Sequence, residues 1–376
     1  MFSFSYLRSI VFFSLLLILV SCGSKNEGGG NVPQGVASDR ELMLTNIADN
    51  IVIPAYAKFD LKLAAMVAKA DAFRTEPSTT SLTEFRTAWE EAYIEWQKVG
   101  IFDFGPASDN ALNSYFNVYP TNVTSINSNI LAGNANLEVS ASYPTQGFPA
   151  FDYLLNGNAT TDADIVALYT TDVDAEKRKS YILQLTNQMT KKFTAVNNAW
   201  KGSYRNTFVT STGMGLFSST SLMVNGIVFY YERFIRSGKF GIPSGAMVNG
   251  TVLPTAVEAY YKKEIGKVLA QTAQQAFVDY FNGKGVLTGI EGASLKTYLN
   301  SLNAKDKTTQ VLLSETINTQ FGVVNDKLAL LDNAVATDNA KMIVVYNEMQ
   351  KAVRMLKVDM TSAMSVTITY TDNDGD

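Results

Sequence analysis

The sequence predicts an all-α protein of packed helices, and three observations carry that prediction. Apolar residues recur at spacings of three to four through most of the chain after Asp39, the period of a helix with one buried face. Strand-like alternation is confined to the end, "SVTITYTDNDGD". The chain has 376 residues, 46% of them hydrophobic, enough for two domains of typical size and for a large core if the helices pack on one another.

The first residues read as a secretory segment. Arg8 precedes the apolar run "IVFFSLLLILV", which leads into small residues at Ser21-Cys22, the layout of a cleaved signal. The run is short for a membrane-spanning helix, which needs about 20 apolar residues. Cys22 is the only cysteine in the chain, and "LVSC" resembles the lipobox at which bacterial lipoproteins are cut and lipidated. Residues 1–21 are therefore expected to be removed, Cys22 to carry lipid, and residues 22–38 to form a flexible, Gly-rich tether. No aspartate follows Cys22, which by analogy favours the outer membrane and leaves open which face carries the protein. A formal net charge of −4 with no basic block argues against a nucleic-acid partner. With no second cysteine there is no structural disulfide.

The elements follow in order. Asp39 is expected to cap a helix carrying Leu42, Ile47, Ile51, Tyr56, Phe59 and Leu63 on one side, kinked at Pro54. Ser81 and Glu84 suggest a capping box for a second helix. That helix shows Phe85, Trp89, Trp96 and Val99 on one face and stops at Gly105-Pro106. Trp89 and Trp96, seven apart, are expected in the core. Residues 107–143 are polar, asparagine-rich and poorly periodic, and read as short helices and long connections, either functional or an insertion. Helices are expected over Pro149–Asn156, from Asp174 to Trp200, through "TSLMVNGIVFYYERFIRSGKFGIPSG", through "TAVEAYYKKEIGKVLAQTAQQAFVDYFNG", and in the segment from Thr308 to Met360. The predicted division is 39–200, 201–368 and an acidic tail 369–376.

Composition limits the chemistry. The chain contains no histidine, the commonest transition-metal ligand and the usual base near neutral pH. Histidine-containing zinc sites and Ser-His or Cys-His nucleophiles are therefore excluded. No phosphate-binding glycine loop, dinucleotide fingerprint or nucleophile elbow is present. The "DNDGD" end, Asp372 to Asp376, is too short for a calcium loop.

"QGFPAFDYLLNG", Gln146 to Gly157, reads as a helix with Pro149 in its first turn, where the missing N–H costs nothing. Phe148, Phe151, Leu154 and Leu155 form its core stripe, and Asp152 gains from the helix dipole. The same stretch resembles the GxHxxE motif of the imelysin family, also called peptidase M75. Gly147, Pro149 and Asp152 stand in the places of its Gly, His and Glu. Trp89, Trp96, "FDFGP" (Phe104, Gly105, Pro106), "YPTN" at Tyr119 to Asn122, "GKFGIPSG" at Gly238 to Gly245 and "YFNGKG…GIEGASLKTYLNSL" are similar to further family pieces.

The resemblance implies two related four-helix-bundle domains with a cleft between them, a short β or disordered tail, and a cell-envelope lipoprotein linked to iron acquisition. It also implies a metal-dependent peptidase, but Pro149 has no ligand atom and Asp152 is one methylene shorter than glutamate. A catalytic zinc needs about three protein ligands. No catalytic residue is therefore assigned, and no cofactor is required. The remaining metal option is an oxygen-only site of Asp152 with Glu232, suited to a hard divalent cation or iron. The leading expectation is a non-catalytic, membrane-anchored binding protein. Its cleft would use Gly147, Phe148, Pro149, Asp152, Trp96, Phe104, Gly105, Pro106 and Glu232 to meet a small ligand, a peptide or an iron-related partner. The alternatives are a carboxylate-only peptidase and a surface assembly or adhesion partner contacting through residues 107–143.

Overall fold

Helix Ile53–Thr75 and helix Thr79–Val99 are joined by three residues and pack along each other, a short-loop helical hairpin. Lys62–Glu91 and Lys69–Glu84, both at 2.8 Å, bridge its outer face. The computed structural model describes residues 34–332 and 338–371. The expected signal, Cys22, the tether up to residue 33 and Asp372–Asp376 lie outside the described residues.

The structure is all-α. Ala175–Ala199 packs on Ile53–Thr75 to complete the long helices of the first half. The second half is built from Ser219–Tyr230 with its continuation Tyr231–Gly241, then Gly266–Asn282, Leu313–Ala329 and Asn339–Arg354. Helix Gly266–Asn282 packs both on Leu313–Ala329 and across to Thr79–Val99, so the two sets of helices share a core. No described residue lies in a named strand; there are two isolated bridges, Lys284 with Glu291 and Lys305 with Leu312.

Aromatic packing ties the first-half core together. Trp96 stacks on Phe116 at 4.6 Å, Phe148 stacks on Tyr93 at 4.5 Å, and Phe59 meets Phe193 edge-on at 4.8 Å. Offset and edge-on rings are the favoured pair geometries. Trp89 and Trp96 are both fully buried, as their seven-residue spacing implied.

Several sequence expectations are corrected by hydrogen bonds the pattern does not show. The first helix begins at Gln34, so Asp39 lies inside it. At Pro54 the chain passes from a wider π-helical turn, Ile47–Val52, into the next α-helix, and the turn accommodates the missing donor. The second helix is capped by Ser78: its hydroxyl accepts from the Ser81 N–H at 3.1 Å, and the Ser81 hydroxyl accepts from the Ser78 N–H at 3.0 Å. That helix ends at Val99, before Gly105-Pro106. Glu84 is left to pair with Lys69. Residues 107–143 form short helices, but Leu112, Tyr115, Phe116, Ile126, Ile130 and Leu137 bury themselves in the core. The segment is therefore part of the fold. Residues 255–265 do not continue a helix; they form a loop with single 3-10 turns before Gly266. The expected strand after Ser365 is an extended segment that pairs with no strand among the described residues. Its Thr367 carbonyl accepts from the Asn225 side-chain amide at 3.0 Å, and its Thr369 N–H donates to the Asn225 side-chain oxygen at 2.8 Å.

Candidate functional site

Helix Gly147–Asp152 starts at a backbone position only glycine fits comfortably. Gly147 has φ +72°, and an added Cβ would lie 2.2 Å from the Phe116 carbonyl oxygen. The chain then turns so that Phe148, Ala150 and Phe151 are buried and Asp152 reaches the second half.

Asp152 is a clasp. One carboxylate oxygen accepts the Tyr261 N–H at 2.8 Å, and the other accepts the Lys262 N–H at 2.9 Å and the Asn156 amide at 3.3 Å. The following Tyr153–Gly157 turn is π-helical, and Gly157 leaves room for the Tyr261 ring, which an added Cβ would meet at 2.1 Å. Lys262 also pairs with Glu90 at 3.1 Å. The loop of residues 255–262 is thus tied to the first half by its backbone, a ring contact and an ion pair. Burial pushes the Asp152 carboxyl up to about 7, and the two backbone N–H groups only partly offset that.

The same loop carries a second buried polar centre. Glu258 pairs with Lys239, and neither side chain is more than 6% exposed. Lys239 also donates to the Gln97 side-chain oxygen at 2.8 Å. Glu258 accepts the Gln97 amide at 3.0 Å and the Asn117 amide at 2.7 Å, and the Tyr93 hydroxyl donates to the Asn117 oxygen at 2.6 Å. Burial lowers the Lys239 pKa, and the Glu258 charge counters that. Lys239 projects from the π-helical stretch Tyr231–Gly241, a winding common at functional sites. Over Asp152 lies a recess of about 60 Å³ lined by Tyr119, Pro149, Thr255, Tyr260 and Tyr261, among others.

The expected site residues divide among different places. Gly147, Phe148, Pro149 and Asp152 come together at the clasp. Trp96 is in the core behind Phe148. Phe104 and Gly105 line a different recess of about 360 Å³, together with Asp103, Tyr204, Phe229 and Tyr370; Pro106 opens the short helix beside it. Gly105 has φ +53°, with the Tyr204 hydroxyl where a Cβ would sit. Glu232 is buried and accepts from Lys357 at 3.2 Å and from the Tyr370 hydroxyl at 3.0 Å. Glu232 is thus held by Lys357 and Tyr370, while the Asp152 oxygens accept N–H donors of the loop and of Asn156. Among the described residues no group of three or more Asp, Glu or Cys is placed to hold a metal ion.

Sequence reasoning missed Lys239, Glu258 and Gln97. A signal existed for Lys239, the one cation inside the apolar "GKFGIP" turn. Gln97 follows Trp96 and is buried with it on a helix whose buried positions are mostly apolar. Glu258 gave no local sign.

The family model for imelysin, peptidase M75, matches residues 52–358. The chain belongs to the imelysin family. Solved structures agree in fold. An imelysin-like protein from Psychrobacter arcticum 273-4 aligns with a TM-score of 0.67 at 18% identity, over 91% of this chain and 100% of that one. A protein from Parabacteroides distasonis ATCC 8503, provisionally named an iron-regulated protein A precursor, aligns with a TM-score of 0.70 at 16% identity, over 89% of this chain and 96% of that one. Among curated proteins none matches. Within this member of the family Gly147 has a backbone role, Pro149 stands in the first turn of its short helix, and Asp152 is the clasp.

Proposed function

We propose that this imelysin is a non-catalytic binding protein, held at the bacterial cell envelope by lipid on Cys22, that takes up a small polar ligand at the junction of its halves. The observation that carries the reading is that both Asp152 carboxylate oxygens accept backbone N–H groups of the loop of residues 255–262. An acid used in this way closes a loop; it does not activate water. A chain with no histidine and with Pro149 in the motif supports the same reading, since neither a base nor a nitrogen ligand stands beside the acid.

The 60 Å³ recess is smaller than usual ligand pockets of about 300–1,000 Å³. Entry of a ligand therefore requires the loop to open, exposing Lys239 and Glu258 as its polar partners. The name of the Parabacteroides relative supports an iron-acquisition setting, with a ferric chelate as the ligand to try first. Calorimetric titration with ferric citrate, together with metal analysis after dialysis and a peptide-cleavage assay, tests the proposal. Binding without turnover is expected. Chelator-sensitive hydrolysis that Asp152→Ala removes would overturn it.

A further inference from the structure

The loop between helix Arg205–Thr210 and helix Ser219–Tyr230 reads "STGMGLFS" from Ser211 to Ser218, with no charged residue. Its base is fixed. The Ser219 N–H donates to the Ser211 carbonyl at 3.2 Å, and the Ser218 N–H to the Gly215 carbonyl at 2.9 Å. Arg40 donates to the Thr212 and Gly213 carbonyls at 2.6 and 2.9 Å. Its tip is apolar and outside the core: Phe217 is 87% exposed, Leu216 49% and Met214 44%, with Leu222 at 40% on the next helix. Gly213 and Gly215 have nothing within 4 Å of an added Cβ. Single exposed apolar side chains are ordinary, but three within four residues on a held loop form a patch that asks for a partner.

The position of the loop supplies the partner. Arg40 lies in the first described helix, Gln34–Asn46, six residues or about 9 Å of helix from its start. That helix packs against Arg205–Thr210, Ser219–Tyr230 and Leu295–Ser301. The described fold begins at Gln34, about 9 Å of helix from the Arg40 that holds this loop, and the twelve residues from Cys22 to Gln34 span at most about 40 Å.

We infer that Met214, Leu216 and Phe217 form a membrane-contacting tip that inserts into the lipid interface of the bilayer carrying the Cys22 lipid. The inference rests on the proposed anchor for the choice of membrane. Insertion is shallow, at the boundary of headgroups and acyl chains, because the backbone N–H groups of Gly213 and Gly215 need polar partners there. The tip would hold the fold in one orientation against the bilayer and add a second membrane contact beside the lipid anchor.

The lone cysteine gives a direct test. In the lipidated full chain, Phe217→Cys provides the only free thiol, to which an environment-sensitive fluorophore is attached. Val173→Cys, 95% exposed and just before the start of helix Ala175–Ala199, provides the reference. That helix is about 37 Å long and leads at its other end toward the loop. In vesicles of phosphatidylethanolamine and phosphatidylglycerol, acyl-brominated lipid should quench the 217 probe at least about threefold more than the 173 probe. Equal aqueous emission at both sites would overturn the inference, as would a shift at 217 that appears only as protein density rises, which marks contact with a second copy. In the unlipidated Cys22→Ser chain, the triple change M214S, L216S and F217S should lower partition onto the same vesicles at least about tenfold with the helical circular dichroism unchanged. An unchanged partition, or none in the parent Cys22→Ser chain, would also overturn it. Mass analysis of the membrane-fraction chain reads the anchor separately: a Cys22 without lipid removes the anchor, while the Cys22→Ser vesicle assay still decides the loop.

Discussion

Lys239 and Glu258 form an ion pair with neither side chain more than 4% exposed, between the π-helical stretch Tyr231–Gly241 and the loop clasped by Asp152. Two charges in so little water are held by mutual attraction and by Gln97 and Asn117. Removing one partner leaves the other buried and uncompensated. Glu258→Gln or Lys239→Met should each cost about 3–5 kcal/mol, and the double variant clearly less than their sum. Urea denaturation of the three variants measures the coupling.

Asp152 makes stability depend on pH in a defined direction. Its carboxyl titrates near 7 in the fold and near 3.9 unfolded. Protonation favours the folded chain, so this contribution is full below about pH 4 and is lost as pH rises through about 7. Between those limits the wild type should lose stability with rising pH relative to Asp152→Asn, which cannot titrate. Asp103, pushed up to about 6 by burial, acts with the same sign, so adding Asp103→Asn should flatten the profile further. Thermal melts at several pH values across this range read the slopes. A parallel profile for wild type and Asp152→Asn would contradict the assignment.

The clasp also predicts local protection. In Asp152→Ala the amides of Tyr261 and Lys262 lose their acceptors, and their hydrogen exchange should accelerate at least about tenfold while exchange within Gly266–Asn282 stays slow. Mass-resolved exchange distinguishes this from general loosening.

Within the motif, glycine and proline should differ sharply. Gly147→Ala meets both a positive φ and the Phe116 carbonyl, and should cost about 2–5 kcal/mol. Pro149→Ala, in the first turn, should shift stability by no more than about 1 kcal/mol. Chemical denaturation of the two proteins tests the contrast.

Trp89 and Trp96 separate packing from hydrogen bonding. The Trp89 indole N–H donates to the Phe148 carbonyl at 3.2 Å, whereas the buried Trp96 indole N–H has no hydrogen-bond partner among the described residues. Trp89→Phe should therefore cost about 1 kcal/mol more than Trp96→Phe, read from paired denaturation curves.

The sequence by itself determined the all-α class, the long helices and the core face of each. An apolar stripe at a period of 3.6 is a local property, legible without knowing its partner, and so Trp89, Trp96, Phe148 and Phe151 could be assigned to the core from spacing alone. The motif comparison placed the chain in its family for the same reason: order along the chain survives in the sequence. Only the tertiary structure decided what Asp152 does, because its partners are the amides of Tyr261 and Lys262, more than a hundred residues away. It also decided that residues 255–265 form a loop, since their polar groups are satisfied by Asp152, Gln97, Asn117 and Lys239 instead of by their own helix. Glu232 looked comparable to Asp152 in sequence, yet Lys357 and Tyr370 hold it elsewhere. Helical periodicity depends on neighbours within two turns, whereas a buried carboxylate is defined by whichever distant donor the packing brings to it.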